Sequence, residues 1–242
     1  MSRAVALGVV ALLAALPSQA VDVAGTSQTV PSQSPRTGDV EFKLGTLKPL
    51  IDTEEGLTGQ PYAETFGDRP MLLFELELQR YFYQGIGTAG VGVSAGYAEK
   101  YANTTTESGD TAEEKTALKI VPLKLNGFYK FDYAAFHWHV PLVPYAKLGL
   151  IYMPWWINKG SETQSLSERS GKGGRWGYGV TVGAAFLLDV IEPRLARDFD
   201  SDVGVNHSYF FAEYAYDQVN NFGNPGLVLS SRHWMFGLAL DY

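Results

Sequence analysis

The chain has 242 residues, 45% hydrophobic, 13% aromatic and only 19% charged, with 26 Gly, no Cys and a formal net charge of -7. That length is one large domain or two small ones, and so few charges beside so many Gly and aromatics leave less surface to solvate than a soluble enzyme has. An acidic chain excludes a strongly basic nucleic-acid binder, and the lack of Cys excludes a disulfide framework, a thiolate zinc site and a Cys nucleophile.

In chain order, residues 1–20 read as a secretory signal peptide. Arg3 supplies the positive start, Ala4 to Leu16 is an apolar run, and Ser18 and Ala20 are the small residues of a cleavage site. The run is too short for the roughly 20 residues of a spanning helix. Residues 21–38 are rich in Ser, Thr, Gln and Pro with little to bury, which predicts a flexible leader.

From Asp39 onward the apolar period is two. Eight strands are predicted: Asp39 to Lys48, Met71 to Phe82, Ile86 to Tyr101, Thr116 to Phe131, Leu142 to Ile157, Arg175 to Leu188, His207 to Gln218 and Arg232 to Tyr242. Their two faces differ in kind. In the third strand Val91, Val93 and Tyr97 oppose Gly90, Gly92, Ser94 and Gly96, and in the sixth Trp176, Tyr178, Val180 and Val182 oppose Gly177, Gly179, Thr181 and Gly183. A Gly, Ser and Thr face coats a soluble protein poorly but suits a crowded, narrow lumen, so the large apolar face is assigned to lipid. Charges fall on the lumen face: Glu41 and Lys43 around Phe42, Glu75 and Glu77 among Leu72, Phe74, Leu76 and Leu78, then Lys124 and Lys147. Both signs are present, which predicts a paired polar core plugging the barrel rather than an ion path.

The fold class is therefore all-β: an eight-stranded antiparallel up-and-down transmembrane β-barrel spanning residues 39–242 in a bacterial (Gram-negative) outer membrane. Long polar connections follow strands one, three, five and seven and shorter ones follow two and four, which places both termini in the periplasm. The sixth connection, Asp189 to Asn206, breaks that alternation. Asp189 with Glu192, Pro193, and the stripe Ile191, Leu195, Phe199 before Gly204 predict a short periplasmic helix closing the mouth, with Arg194 and Arg197 outward. Aromatics near strand ends, among them Tyr81, Phe82, Tyr129, Tyr145, Trp155, Trp156 and Trp176, are assigned to interfacial belts.

The last strand, with Trp234, Phe236, Leu238, Leu240 and Tyr242 on one face and an aromatic end, resembles the terminal recognition strand of outer-membrane barrels, where Phe is the commoner last residue. Leu44 to Glu54, Pro61-Tyr62 with Phe66-Gly67, Gly87 to Tyr97, Val143 to Leu150, and Asp200 to His207 with Glu213-Tyr214 carry a wider resemblance. It is to a family of outer-membrane barrels from myxobacteria and related deltaproteobacteria, with the size of the OmpA-type and OmpW-type barrels. That resemblance implies fold and place, and no activity.

For catalysis, His137, His139 and His207 fall at the periplasmic end; only His233, with Ser230 and Ser231, falls near the outer rim, and a Ser/His pair near a loop is common by chance. Asp198, Asp200 and Asp202 before Gly204 miss the EF-hand spacing. The Gly171-Lys-Gly-Gly-Arg stretch lacks the spacing of a phosphate loop. No cofactor, metal or catalytic set is assigned. The expected function is a non-enzymatic structural or surface-interaction role through the outside loops, with lipid, lipopolysaccharide and the outer-membrane assembly machinery as partners and oligomeric state open. The alternatives are a narrow channel or carrier for small, apolar solutes, and a lipid-modifying enzyme.

Overall fold

The computed structural model describes residues 35–54, 56–102, 116–159, 162–163, 165–166 and 169–242. The expected signal peptide and most of the expected leader lie outside these residues, as does most of the third connection. Eight strands form the wall: β1 (Gly38–Leu47), β2 (Met71–Gln84), β3 (Thr88–Tyr101), β4 in two pieces (Thr116–Ile120 and Leu123–Lys130), β5 (Leu142–Lys159), β6 (Lys172–Leu187), β7 (His207–Gln218) and β8 (Ser231–Asp241). Each pairs antiparallel with its chain neighbours, and β8 pairs with β1 from Asp39 opposite Asp241 to Gly45 opposite Met235. The sheet is closed, so no edge strand is left for its backbone to satisfy in lipid.

The strands continue into two stretches that alternation assigned to loops, β5 to Lys159 and β6 back to Lys172. The break in β4 is at Val121-Pro122, where Pro removes a ladder donor. Neighbouring strands take up the slack: Val121 N–H donates to Pro154 O at 3.0 Å and Gly96 N–H to Pro122 O at 2.8 Å.

Alternation sorts the side chains as the two faces require. Phe42, Leu44, Phe74, Val93, Leu125, Leu148, Val182, Trp234, Phe236 and Leu238 are exposed on the outside, with Leu240 and Tyr242 half-buried. Glu41, Lys43, Glu75, Glu77, Lys124 and Lys147 are buried within. Small residues make that interior possible. A Cβ on Gly92 would stand 2.6 Å from a carboxylate oxygen of Glu77, and one on Gly237 would stand 2.5 Å from the Phe211 ring.

The first described residues and the end of β8 meet at one rim, since Thr37 N–H donates to Tyr242 O at 2.6 Å. The end of the leader is therefore part of the fold. Arg36 reaches into the bore because Asp241 and Asp132 offer it charge there, at 2.7 and 3.1 Å. The inner connections are the tight turn at residues 85–87, α1 (Tyr133–Trp138) and α2 (Pro193–Val203). Asp189 does not cap α2. Its carboxylate instead accepts from His207 Nδ1 at 2.6 Å and from Ser208 N–H at 3.2 Å. Ile191 and Phe199 of the stripe are exposed and not packed into the mouth; the side chains of residues 193–197, Leu195 among them, lie outside the described set.

Candidate functional site

The bore is built in two halves. At its inner end Tyr81 donates its hydroxyl to Asp241 and, at 3.0 Å, to Asp39, which also pairs with Lys130. Next comes a layer centred on two lysines. Lys43 pairs with Glu77 and lies 3.0 Å from Glu213, while Lys147 lies 2.5 Å from Glu41 and 3.0 Å from Glu77. Gln79 donates to Glu41 at 2.8 Å and Tyr145 donates to Glu213 at 2.9 Å. Lys124, 3.2 Å from both Glu75 and Asp217, forms the uppermost charged layer.

All six lumen charges assigned from the sequence thus meet in one network. The network also recruits Asp39, Lys130, Glu213, Asp217 and Arg36. Glu213 and Asp217 share the inward parity of Tyr209, Phe211 and Ala215, so alternation in β7 marks them; Arg36 precedes any alternation and carries no such mark. Tyr81 and Tyr145 are buried lumen donors instead of belt residues, and Trp155 packs against the outer core, because each has the inward parity of its strand. Pairs such as Tyr152 with Trp176 at 4.7 Å and Tyr214 with Trp234 at 5.3 Å do face outward.

Above the charged layers the filling turns apolar. Leu47, Met71, Leu73, Leu118, Ile120, Ile151, Met153 and Met235 are buried together. The first outside loop lays Tyr62 and Phe66 of a short helix (Pro61–Phe66) over them, and the fourth adds Val219 and Leu229. Asp52 anchors that helix by accepting from Tyr62 N–H at 2.7 Å and Ala63 N–H at 3.1 Å, where its charge also suits the helix start. Burial and the neighbouring charge of Asp52 push the Tyr62 hydroxyl up to about 12. The fourth loop is tied by Leu229 N–H to Val219 O at 2.9 Å and to the first loop by Leu50 N–H to Ser230 O at 2.9 Å.

Between these two loops lies a cavity of about 510 Å³, lined by Thr53, Glu54, Tyr216, Gln218, Asn220, Asn224, Ser230 and Arg232, with Leu50, Pro225 and Val228. Arg232 lies over the Tyr216 ring at 5.0 Å. The other enclosed space, at the inner end beside Arg36 and Lys130, holds only about 20 Å³.

Among the described residues, the Ser231 and His233 pair is not where the enzyme reading needs it. His233 Nδ1 is 3.2 Å from Ser231 Oγ, but the pair is buried within the bore instead of facing lipid, and His233 Nε2 has no partner. His137 stacks on Tyr133 at 3.8 Å and His139 ends α1 in the left-handed region. Among the described residues no group of three or more His, Asp or Glu is placed to hold a metal, the aspartates of α2 included.

A closed eight-stranded wall, apolar outside and polar within, decides the fold. The chain has the fold of an outer-membrane β-barrel. No protein-family model and no curated protein matches it. Solved structures do match in fold. The barrel is similar to the outer membrane protein OprG from Pseudomonas aeruginosa, with a TM-score of 0.50, 14% identity, and coverage of 86% of this chain and 97% of that one. Neisserial surface protein A matches with a TM-score of 0.47 and 12% identity, over 85% of this chain and 97% of that one. Ail, the attachment invasion locus protein of Yersinia pestis, solved with the heparin analogue sucrose octasulfate, matches with a TM-score of 0.44 and 12% identity over the same shares.

Proposed function

We propose that this barrel is a non-enzymatic surface-interaction protein whose cleft between the first and fourth outside loops receives a hydroxyl-rich ligand, a saccharide. The observation that carries the reading is the cleft itself. It holds about 510 Å³, it sits on a filled bore, and it presents amides, hydroxyls, carboxylates and a guanidinium around a tyrosine. Such a lining offers donors and acceptors in pairs, as sugar hydroxyls require, over a few apolar walls.

The sugars of lipopolysaccharide are the nearest source in an outer leaflet. Titration of the folded barrel with core oligosaccharide should give saturable binding, weakened about tenfold by Arg232→Ala together with Glu54→Ala, the loss of one or two charge-assisted hydrogen bonds. Absence of saturable binding, or binding indifferent to both substitutions, overturns the reading. The carrier alternative is disfavoured by the filling of both halves of the bore, and planar-bilayer recordings should show no steady large conductance. The exposed terminal strand residues Trp234, Phe236 and Leu238 support handling by the outer-membrane assembly machinery. The myxobacterial resemblance fits this reading and adds no activity to it.

A further inference from the structure

The helix α2 has an apolar stripe that the barrel does not cover, and its surroundings say what does. Phe186 and Phe210 face each other across β6 and β7 on the lipid side, at the inner end of the wall. Beyond that pair, past Asp189, further apolar side chains are exposed. Val190 and Ile191, leaving β6, are 49% and 69% exposed, and Phe199 and Val203, one turn apart on α2, are 42% and 70% exposed.

The same bias marks every inner connection. Phe82 and Ile86 flank the first turn and Trp138 and Val140 the second connection, all exposed. In the outside connections, among the described residues, only Leu50 and Phe222 are large, apolar and exposed. The inner connections thus expose more large apolar side chains than the described residues of the first and fourth outside connections, and a lipid boundary drawn along the inner rim passes through all three.

The helix is also held at that boundary. Asp189 is bonded to His207 and Ser208 at the base of β7, Val205 N–H returns to Phe199 O at 3.2 Å, and Asn206 N–H donates to Asp241 O at 2.7 Å. Both ends of this rod, about 16 Å long, are tied to the rim.

We infer that α2 lies in the inner-leaflet interface, its Phe199 and Val203 face immersed among phospholipid chains as a continuation of the barrel belt. An amphipathic helix gains by burying such a stripe at the headgroup boundary. The helix sequence carries Asp198, Asp200 and Asp202 against Arg194 and Arg197, which favours zwitterionic over anionic headgroups.

The chain has no Cys, so an introduced thiol is unique. Phe199→Cys, Val203→Cys and Ser201→Cys, the last on the opposite side of the helix, are labelled with an environment-sensitive fluorophore and placed in phosphatidylcholine nanodiscs. Folding of each is checked by heat-shifted migration in SDS, and Val203→Cys alone suffices if Phe199→Cys folds poorly. Labels at 199 and 203 should be quenched several-fold more by spin-labelled lipid than by aqueous iodide, with the order reversed at 201. Equal access of iodide to all three overturns the inference by placing the helix in water. Shielding of 199 and 203 from both quenchers overturns it by showing a protein cover, a second copy or a partner.

Discussion

In the inner half of the bore Lys43 and Lys147 sit among Glu41, Glu77 and Glu213, whereas in the outer half Met235, Met153 and Leu229 touch apolar neighbours and the two loops above them. Both halves are filled, but the filling does different work. The charged half lies between strands whose ladders fix it, and each carboxylate there depends on a cation from another strand. The apolar half is non-directional and closes on loop residues, so it can support a cleft whose lining is free to differ. A single substitution in the first half strands a buried charge; in the second it leaves a void.

The largest expected effect follows from that contrast. Lys43→Met leaves the buried Glu77 and Glu213 short of a cation and should lower stability by about 3–5 kcal/mol. The urea midpoint of the heat-modifiable form measures it. Adding Glu213→Gln should return part of the loss, since it removes one of the orphaned charges. Equal midpoints for the parent and Lys43→Met would mean that water reaches this layer and that the halves do not differ as described.

Leu229→Ala tests the other half. It is the fully buried anchor of the fourth loop, and its truncation should remove roughly 2–3 kcal/mol, near the low end for a core leucine because a loop can settle into the gap. Hydrogen exchange should rise across residues 219–230 while the strand amides around Lys43 stay protected. Uniform loss of protection would show one cooperative core instead of two.

A smaller effect belongs to the lid over the apolar half. Asp52→Ala removes the acceptor of Tyr62 N–H and Ala63 N–H, and the expected loss is about 1 kcal/mol. It should appear as faster exchange in the helix at residues 61–66 with little change in the global midpoint. A drop in the global midpoint as large as that of Leu229→Ala would contradict this local role.

What could be read from residues alone divides along similar lines. Period-two alternation marks a wall face by face, because a strand buries one side and offers the other; that is why Glu41, Lys43, Glu75, Glu77, Lys124 and Lys147 were all placeable in the lumen. Their partners were not, since which lysine meets which glutamate depends on register and closure across as many as 170 residues, as between Lys43 and Glu213. For Tyr81 and Tyr145 two signals conflict: aromatic identity near a strand end points to the interface, whereas parity points into the lumen, and the lumen is where both are buried. The stripe Ile191, Leu195, Phe199 was legible as a helix face, but periodicity says that a face must be covered and not by what. Arg36 and the cleft came from chain ends and loops meeting in space, for which no local pattern exists.

The smallest effect concerns pH and sharpens the contrast between halves without touching either filling. Tyr62 is buried under the lid with its hydroxyl lacking a partner, and burial together with Asp52 raises its pKa to about 12. In the unfolded chain a tyrosine titrates near 10. The folded lid therefore binds this proton more tightly than the unfolded one, and its contribution is complete below about pH 10 and falls as pH rises toward 12. Lid opening, followed by exchange or by a probe in the first loop, should steepen over that window. Tyr62→Phe removes the ionisable group and an unpaired hydroxyl while keeping the ring over Phe66, so it should flatten the slope and leave the lid at least as firm at neutral pH. If the parent and Tyr62→Phe open along the same curve above pH 10, the hydroxyl is solvated and the lid is looser than its packing indicates.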